Sequence, residues 1–328
     1  MIVRRRIAVL LALLLLLSLC GGCGAQQKQV SRTDYLLDTV VTLTLYGATE
    51  ADLDAAFKEI RRLGDLLDAY SPFSDLGWLE AAAGQKPVTV SPETMELLVF
   101  AKEMYERTGG YLDVTVGPLI DLWDIRSGGH YPTAEELATA RDLLGMDDLV
   151  LNEADGTAYL VRPGMRVDLG ALAKGYIADK VKTLLLDRGV PSGVLDLGRN
   201  ILLIGEKPGK APFSIGIQSP GTSGELLRVL SLRDKSLVTS GTYERYFEHD
   251  GHRYHHVLDP FTGFPADTGL AAVTILSDSS LRGDALSTAC LLLGVDAGLA
   301  LVDSIPQTEA LFVLTDGSVV TSSGFPAE

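Results

Sequence analysis

The chain has 328 residues, 46% hydrophobic and 22% charged, which excludes an intrinsically disordered protein and allows one large or two small folded domains. Its formal net charge is −15, with 43 acidic against 28 basic residues. That balance argues against nucleic-acid binding, because phosphate contacts need a basic face.

In chain order, Arg4, Arg5 and Arg6 precede an apolar run from Ile7 to Leu19. A basic start and a short apolar core make a secretory signal; the run falls short of the roughly 20 residues a spanning helix needs. It ends in Cys20-Gly21-Gly22-Cys23, which predicts a bacterial lipoprotein with residues 1–22 as signal peptide. Cys23 follows small Gly22 and is the expected site of fatty acylation, palmitate included, whereas Cys20 follows bulky Leu19. An ordinary cleaved signal fits the same run. The expected mature protein is extracytoplasmic and anchored to the cell membrane, with 23–33 as lipidated cysteine and polar tether and 34–328 as one domain. Cleavage before Cys23 leaves 25 basic and 43 acidic residues, net −18. Cys290 is then the one unmodified cysteine, so no internal disulfide is expected, and its apolar setting ACLLLG predicts a buried thiol.

Tyr35 to Tyr46, rich in Val, Thr and Leu, predicts a strand. A helix is expected from about Glu50 to Ala69, with Leu53, Phe57, Ile60, Leu63 and Leu67 on one face. Ser91-Pro92-Glu93 opens a further helix that ends at Gly109-Gly110. Thr133 and Glu136 form a capping-box signal for a helix to about Leu144. Another helix is predicted over Ala171–Arg188, closed by Gly189. Beyond it, short strands are predicted at 193–197, 200–205, 213–218, 226–232 and 270–276. Helices are expected near Leu281 and from Val295 to Asp303, before a final hairpin turning at Asp316-Gly317.

Three polar clusters carry the chemistry. The first, TSGTYERYFEHDGHRYHHVLDPFTGFP (239–265), has a hairpin signal at Asp250-Gly251. Antiparallel register then sets Arg245 against His256, sharing a face with Phe247 and Tyr254, with Tyr246 and His255 on the other. A guanidinium beside an imidazole suits an anion or proton-transfer site with His256 as base. The same spacing also fits a surface hairpin followed by a turn. In the second cluster, GDALSTA (283–289), Asp284 and Thr288 are four apart and share a helix face. A carboxylate, a hydroxyl and a backbone carbonyl make a hard-oxygen site suited to Mg²⁺. An acid at a helix start, with a threonine bonding back to its helix, explains the pair equally simply. The third, DLGALAKGYIADKV (168–181), feeds a glycine turn into a helix N-terminus, where phosphate can bind, with Lys174 about one turn in. It lacks the phosphate-loop spacing, and a capped surface helix fits it too.

The blocks DTVVTLTLYG, TGGYLDVTVGPLIDLW (108–123), DLGALAKGYIADKV, TSGTYERYF, HHVLDPFTGFP and GDALSTA occur in that order from about Asp34 onward. Together they resemble the ApbE family, the FAD:protein FMN transferases. The resemblance implies an α/β fold: a single ApbE-like (T-fold-like) domain of mixed, largely antiparallel sheet with packed helices. It implies a Mg²⁺-dependent enzyme that takes FAD as substrate and transfers FMN to a threonine or serine hydroxyl of an exported protein, releasing AMP. Family targets are FMN-binding domains, including subunits of sodium-pumping NADH:quinone oxidoreductases and Rnf complexes.

By resemblance, the metal site falls on the Ala171 carbonyl, Asp284 and Thr288. Flavin contacts fall on Leu37, Tyr70, Tyr111, Leu112, Asp113, Asp168 and Lys174. His256, Arg245 and Asp284 are the expected catalytic residues. This sequence departs from the family pattern at Leu37-Asp38 (often Met-Gly), at Glu80 (near a common asparagine), at Arg199 (a paired glycine) and at Leu281 (an acid in some members). An FAD pyrophosphatase, or a non-catalytic flavin-binding lipoprotein, would use much of the same constellation.

Overall fold

The structure is a computed structural model and describes residues 28–221 and 224–327. Cys23 and the segment read as a signal peptide lie outside the described residues. The chain enters the fold at once: β1 (Gln29–Leu36) pairs antiparallel with β2 (Thr39–Tyr46) in unbroken register. Tyr35–Tyr46 is therefore not one strand, and Gln29–Thr33, read as tether, is sheet. Leu37 and Asp38 form a two-residue turn with φ of 54° and 56°. Such primed turns usually carry glycine or asparagine, so Leu-Asp gave no turn signal.

Eight strands form one antiparallel sheet in the order β1-β2-β6-β7-β10-β13-β14-β15. Its inner members are β6 (Ser192–Leu197), β7 (Asn200–Ile204), β10 (Ser236–Gly241), β13 (Leu270–Ser277) and β14 (Glu309–Leu314), with β15 (Val319–Thr321) at the far edge. The mixed α/β, largely antiparallel architecture expected from the sequence is what the chain adopts. Alternation along the strands explains why the sheet needs cover on both sides. In β14, Ala310 and Phe312 join the main core, while Leu311 and Val313 join a second core. That second core is roofed by the hairpin of β8 (Phe213–Gln218) and β9 (Leu226–Leu232). A small sheet of β3 (Val88–Thr89), β5 (Thr157–Leu160) and β4 (Leu149–Asn152) lies apart.

Seven helices are present among the described residues. α1 (Glu50–Leu66) buries Leu53, Phe57, Ile60 and Leu63, the stripe its periodicity predicts. The short α2 (Asp75–Ala81) and α4 (Gly117–Trp123) were not foreseen, because seven residues hold too few turns for a periodic pattern. α3 (Pro92–Arg107) starts at the Ser91 cap, whose hydroxyl accepts from Thr94 N. α5 (Ala134–Arg141) carries the expected Thr133–Glu136 capping box. A 3₁₀ turn at Ile125–Ser127 follows α4, and the hairpin of β11 (Tyr246–His249) and β12 (His252–His255) follows β10.

The main core face is covered by α6 (Ala173–Asp187) and α7 (Ser280–Asp303). α7 is two helices joined at Gly294, φ 80°, in keeping with the two that the sequence predicts. Cys290 is buried here, and desolvation pushes its thiol up to about 12, so it is inert.

α6 and α7 cap one another, and this exchange places the site. Asp179 of α6 accepts from Ser280 N (2.9 Å), Leu281 N (3.0 Å) and Ser279 Oγ (2.8 Å). In return, Asp284 of α7 accepts from Gly175 N in the first turn of α6 (2.8 Å). Each carboxylate satisfies donors that a helix start leaves free and sits in the favourable end of its dipole. Gly175 lets the helices meet: a Cβ there would fall on the Ser280 carbonyl and within 2.7 Å of Leu281 Cα. Gly175→Ala should therefore cost about 1–3 kcal/mol by overpacking. Thermal unfolding checks this, and an unchanged midpoint would mean that the helix junction is looser than described.

Candidate active site

One cavity of about 850 Å³ opens between the β1–β2 turn, the loop after α1, the loop after α3, the starts of α6 and α7, and the hairpin stem at Arg245 and His256. It is of a size that holds a dinucleotide. Every site residue expected from the sequence within the described residues lines it: Leu37, Tyr70, Tyr111, Leu112, Asp113, Asp168, Ala171, Lys174, Arg245, His256, Asp284 and Thr288. Their spread along the chain, from 37 to 288, makes this convergence the main structural result. Because both line the cavity, neither the hairpin stem nor the start of α6 is a plain solvated surface. Glu80 and Leu281 stand outside the lining. Glu80 pairs with Arg166 at 3.3 Å, and Leu281 packs on the core.

Within the cavity, Lys174 has no hydrogen-bond or ion-pair partner among the described residues. Its charge is nevertheless felt by Asp168, Glu244, His256 and Asp284. A cation in that position is free to meet phosphate. Among the described residues the Arg245 side chain makes one long bond, from Nη2 to the Asp38 carbonyl at 3.4 Å. Burial holds the Asp284 carboxyl well above its usual range, eased by Lys174 and by the Gly175 N–H. Beside it, Ser240 Oγ lies 2.7 Å from Ser287 Oγ and 3.4 Å from Thr288 Oγ1. Among the described residues no cluster of three His, Cys, Asp or Glu side chains could hold a metal. The donor set here is of another kind, one carboxylate with a hydroxyl and a backbone carbonyl. A buried carboxylate without a contacting cation, among hard oxygens, fits Mg²⁺.

His256 belongs to the hairpin whose register the sequence predicts: Phe247 faces Tyr254 and Tyr246 faces His255. The pairing extends one step further, with His256 N donating to Arg245 O at 3.1 Å. The His256 ring turns Nδ1 to the same carbonyl at 3.3 Å, which assigns the proton to Nδ1 and leaves Nε2 as acceptor. Desolvation first, and Arg245 second, lower its pKa to about 4. The imidazole is therefore neutral at pH 7. His255 has a different role, with Nε2 on the Ala266 carbonyl at 2.9 Å, and helps fix the loop that leads to β13.

Also in the lining, Tyr111, Leu112 and Asp113 follow Gly109 and Gly110, both left-handed. Tyr111 meets Phe261 of the DPFTG turn edge-on at 4.9 Å. That turn is held by Trp123, whose Nε1 donates to Gly263 O at 2.7 Å. Asp113 accepts from Thr115 N and Oγ1 (2.7 and 2.6 Å), and Asp168 accepts from Gly170 N at 2.8 Å. Desolvation raises the pKa of both carboxyls. Tyr70 lies under two guanidinium groups, those of Arg126 and Arg166.

Sequence reasoning missed Arg126, Ser240 and Asn200 as cavity residues. Arg126 lies in a short 3₁₀ turn with no spacing signal. Asn200 is 1% exposed; its Oδ1 accepts from Ser280 Oγ, while Nδ2 has no partner within hydrogen-bond geometry among the described residues. Arg199 sits at φ 69°, pairs with Glu244 at 3.0 Å and bonds Tyr243 Oη at 2.7 Å, so the departure from glycine there brings its own anchors.

An α/β domain covered on both faces of its sheet, with two cations, a buried carboxylate and a neutral imidazole in one nucleotide-sized cavity, defines an enzyme that handles a phosphorylated ligand. The chain belongs to the ApbE family, whose family model matches residues 37–312. It is 37% identical to a Klebsiella pneumoniae protein named FAD:protein FMN transferase, over 91% of this chain and 93% of that one. A Treponema pallidum protein of the same name is also 37% identical, over 97% and 93%. The crystal structure of the ApbE protein from Thermotoga maritima superposes with a TM-score of 0.84 at 29% identity, covering 91% of this chain and 98% of that chain. The flavin transferase ApbE from Vibrio cholerae gives 0.82 at 27%, with the same coverage. The chain is a transferase, as these relatives are by name.

Proposed function

We propose that this protein is an FAD:protein FMN transferase, acting outside the cytoplasm on a lipid anchor at Cys23. It transfers FMN from FAD to a threonine or serine hydroxyl of an exported FMN-binding domain, such as an Rnf or sodium-pumping NADH:quinone oxidoreductase subunit. The observation that carries this reading is that one cavity gathers Lys174, Arg245, His256 and Asp284 together with Tyr70, Tyr111 and Asp113.

Lys174 and Arg245 hold the pyrophosphate of FAD. Nε2 of His256 takes the proton of the acceptor hydroxyl, whose oxygen attacks the FMN phosphorus. The new P–O bond is the phosphoester; the P–O bond to the AMP phosphate breaks, and AMP leaves with the electron pair. The Ala171 carbonyl, Asp284 and Thr288 would hold Mg²⁺. When bound, Mg²⁺ there supplies positive charge against the negative charge that gathers on the pyrophosphate.

The test is to incubate the protein with FAD, Mg²⁺ and an exported FMN-binding domain and view a denaturing gel under ultraviolet light. A fluorescent acceptor band that chelator abolishes is the expected result. AMP without a band, across several acceptors, would instead mark a hydrolase. Neither AMP nor a band would mark a flavin binder without chemistry.

A further inference from the structure

Asp38 adopts a conformation that glycine takes freely and an aspartate takes at some steric cost. What the aspartate adds is a carboxylate at the cavity mouth. Its Oδ2 meets Arg126 Nη2 at 2.8 Å, while its carbonyl oxygen accepts from Arg245. One turn residue thus touches two cavity arginines from separate parts of the chain.

Arg126 stands over Tyr70, with its guanidinium carbon 4.7 Å from the ring centre; that of Arg166 is at 4.5 Å. The Arg166 side chain is 5% exposed and is locked by Asp121, Glu80 and the Ala69 carbonyl. Moving it would strand a buried charge. Arg126 is 49% exposed, and Asp38 is its one ion-pair partner among the described residues. A planar ring that stacks where Arg126 covers Tyr70 has to displace Arg126, the more exposed and less anchored of the two. An ion pair this open to water is weak enough to break during ligand exchange, and salt weakens it further.

We infer that Asp38 is a positioning residue: by holding Arg126 across Tyr70, it sets how fast the aromatic ring of a flavin ligand passes the cavity mouth. This rests on the flavin reading above. The latch acts on exchange through the Asp38 carboxylate, while the Asp38 carbonyl that meets Arg245 is kept in Asp38→Asn.

The experiment is stopped-flow binding of FAD, followed by flavin fluorescence, at low and high salt. The proteins are wild type, Asp38→Asn, Asp38→Gly and Arg126→Ala. Asparagine tolerates the left-handed turn, so it removes the charge without freeing the backbone. All three variants are expected to bind and release FAD about tenfold faster. Salt should speed release from the wild type and leave release from the variants unchanged, and the larger part of the steady-state effect should fall on KM. Wild-type exchange rates in Asp38→Asn overturn the latch, even if Asp38→Gly is faster, because backbone relief alone would then be at work. Failure of wild type to bind FAD would overturn the flavin reading and the latch with it. Binding with identical rates and salt slopes in all four proteins would overturn the latch alone.

Discussion

Asp284→Asn is expected to lower FMN transfer by about a thousandfold while leaving the fold intact. The expectation combines two facts about one side chain. Oδ2 accepts from Gly175 N and so closes the first turn of α6, a task the asparagine carbonyl oxygen can keep. The negative charge does something else: burial opposes it, and Lys174 only partly eases it. A charge kept at that cost is what a cation site needs, and removing one electrostatic stabiliser of this kind typically costs about 10²–10³ in rate. Two measurements separate the roles. Mg²⁺ should raise the thermal midpoint of the wild type through binding linkage and leave that of Asp284→Asn unmoved. Without Mg²⁺ the variant should unfold no earlier than the wild type, since it buries a neutral group in place of a charged one. If Mg²⁺ stabilises both proteins equally, Asp284 is not a ligand. If the variant unfolds well below the wild type, the carboxylate is chiefly structural.

The parts of this site that could be read from sequence are those with a local rule behind them. Asp250-Gly251 fixes a hairpin register, and the register fixes that Arg245 meets His256; the backbone bond between them bears this out. Thr133 and Glu136 announce a helix start by chemistry alone. The β1–β2 turn was hidden because Leu37-Asp38 breaks the residue preference of its own turn type, and the whole hairpin read as one strand. Asp284 shows a subtler limit. Its i,i+4 partnership with Thr288 was legible, yet the sequence points to an acid near the start of its own helix. The structure puts it at the start of a different one, 109 residues away in sequence. Nothing local encodes that two helices will exchange capping carboxylates. The likeness of six ordered blocks to one family supplied the grouping that spacing left undecided. Arg126, with neither a motif nor a period around it, had to wait for the fold.

His256→Gln should lower kcat/KM for transfer by about 10²–10⁴, the range a positioned general base supplies. Glutamine keeps the size of the side chain and a bond to the Arg245 carbonyl, but offers no basic nitrogen. The pH profile carries the sharper test. Desolvation and then the nearby Arg245 charge lower the imidazole pKa to about 4, so the base of the free enzyme stays unprotonated far below the ordinary 6.5. The acid limb of kcat/KM should therefore lie well below pH 6.5 in the wild type and disappear in His256→Gln. Arg245→Gln removes the largest of the charges that lower the imidazole pKa, so it should shift the limb upward even as it weakens phosphate binding. Stability follows the same sign. The unfolded chain takes up a proton on this histidine near 6.5 and the folded chain only near 4, so stability falls as pH drops through that window. His256→Gln should lose less of its thermal midpoint between pH 6.5 and 4 than the wild type does. Transfer within threefold of wild type, or an acid limb that survives unchanged in His256→Gln, would take the base away from His256. The proton of the acceptor hydroxyl would then have to go to Asp113, Asp168 or Glu244, the other cavity-lining acids whose burial raises their pKa toward the range a base needs.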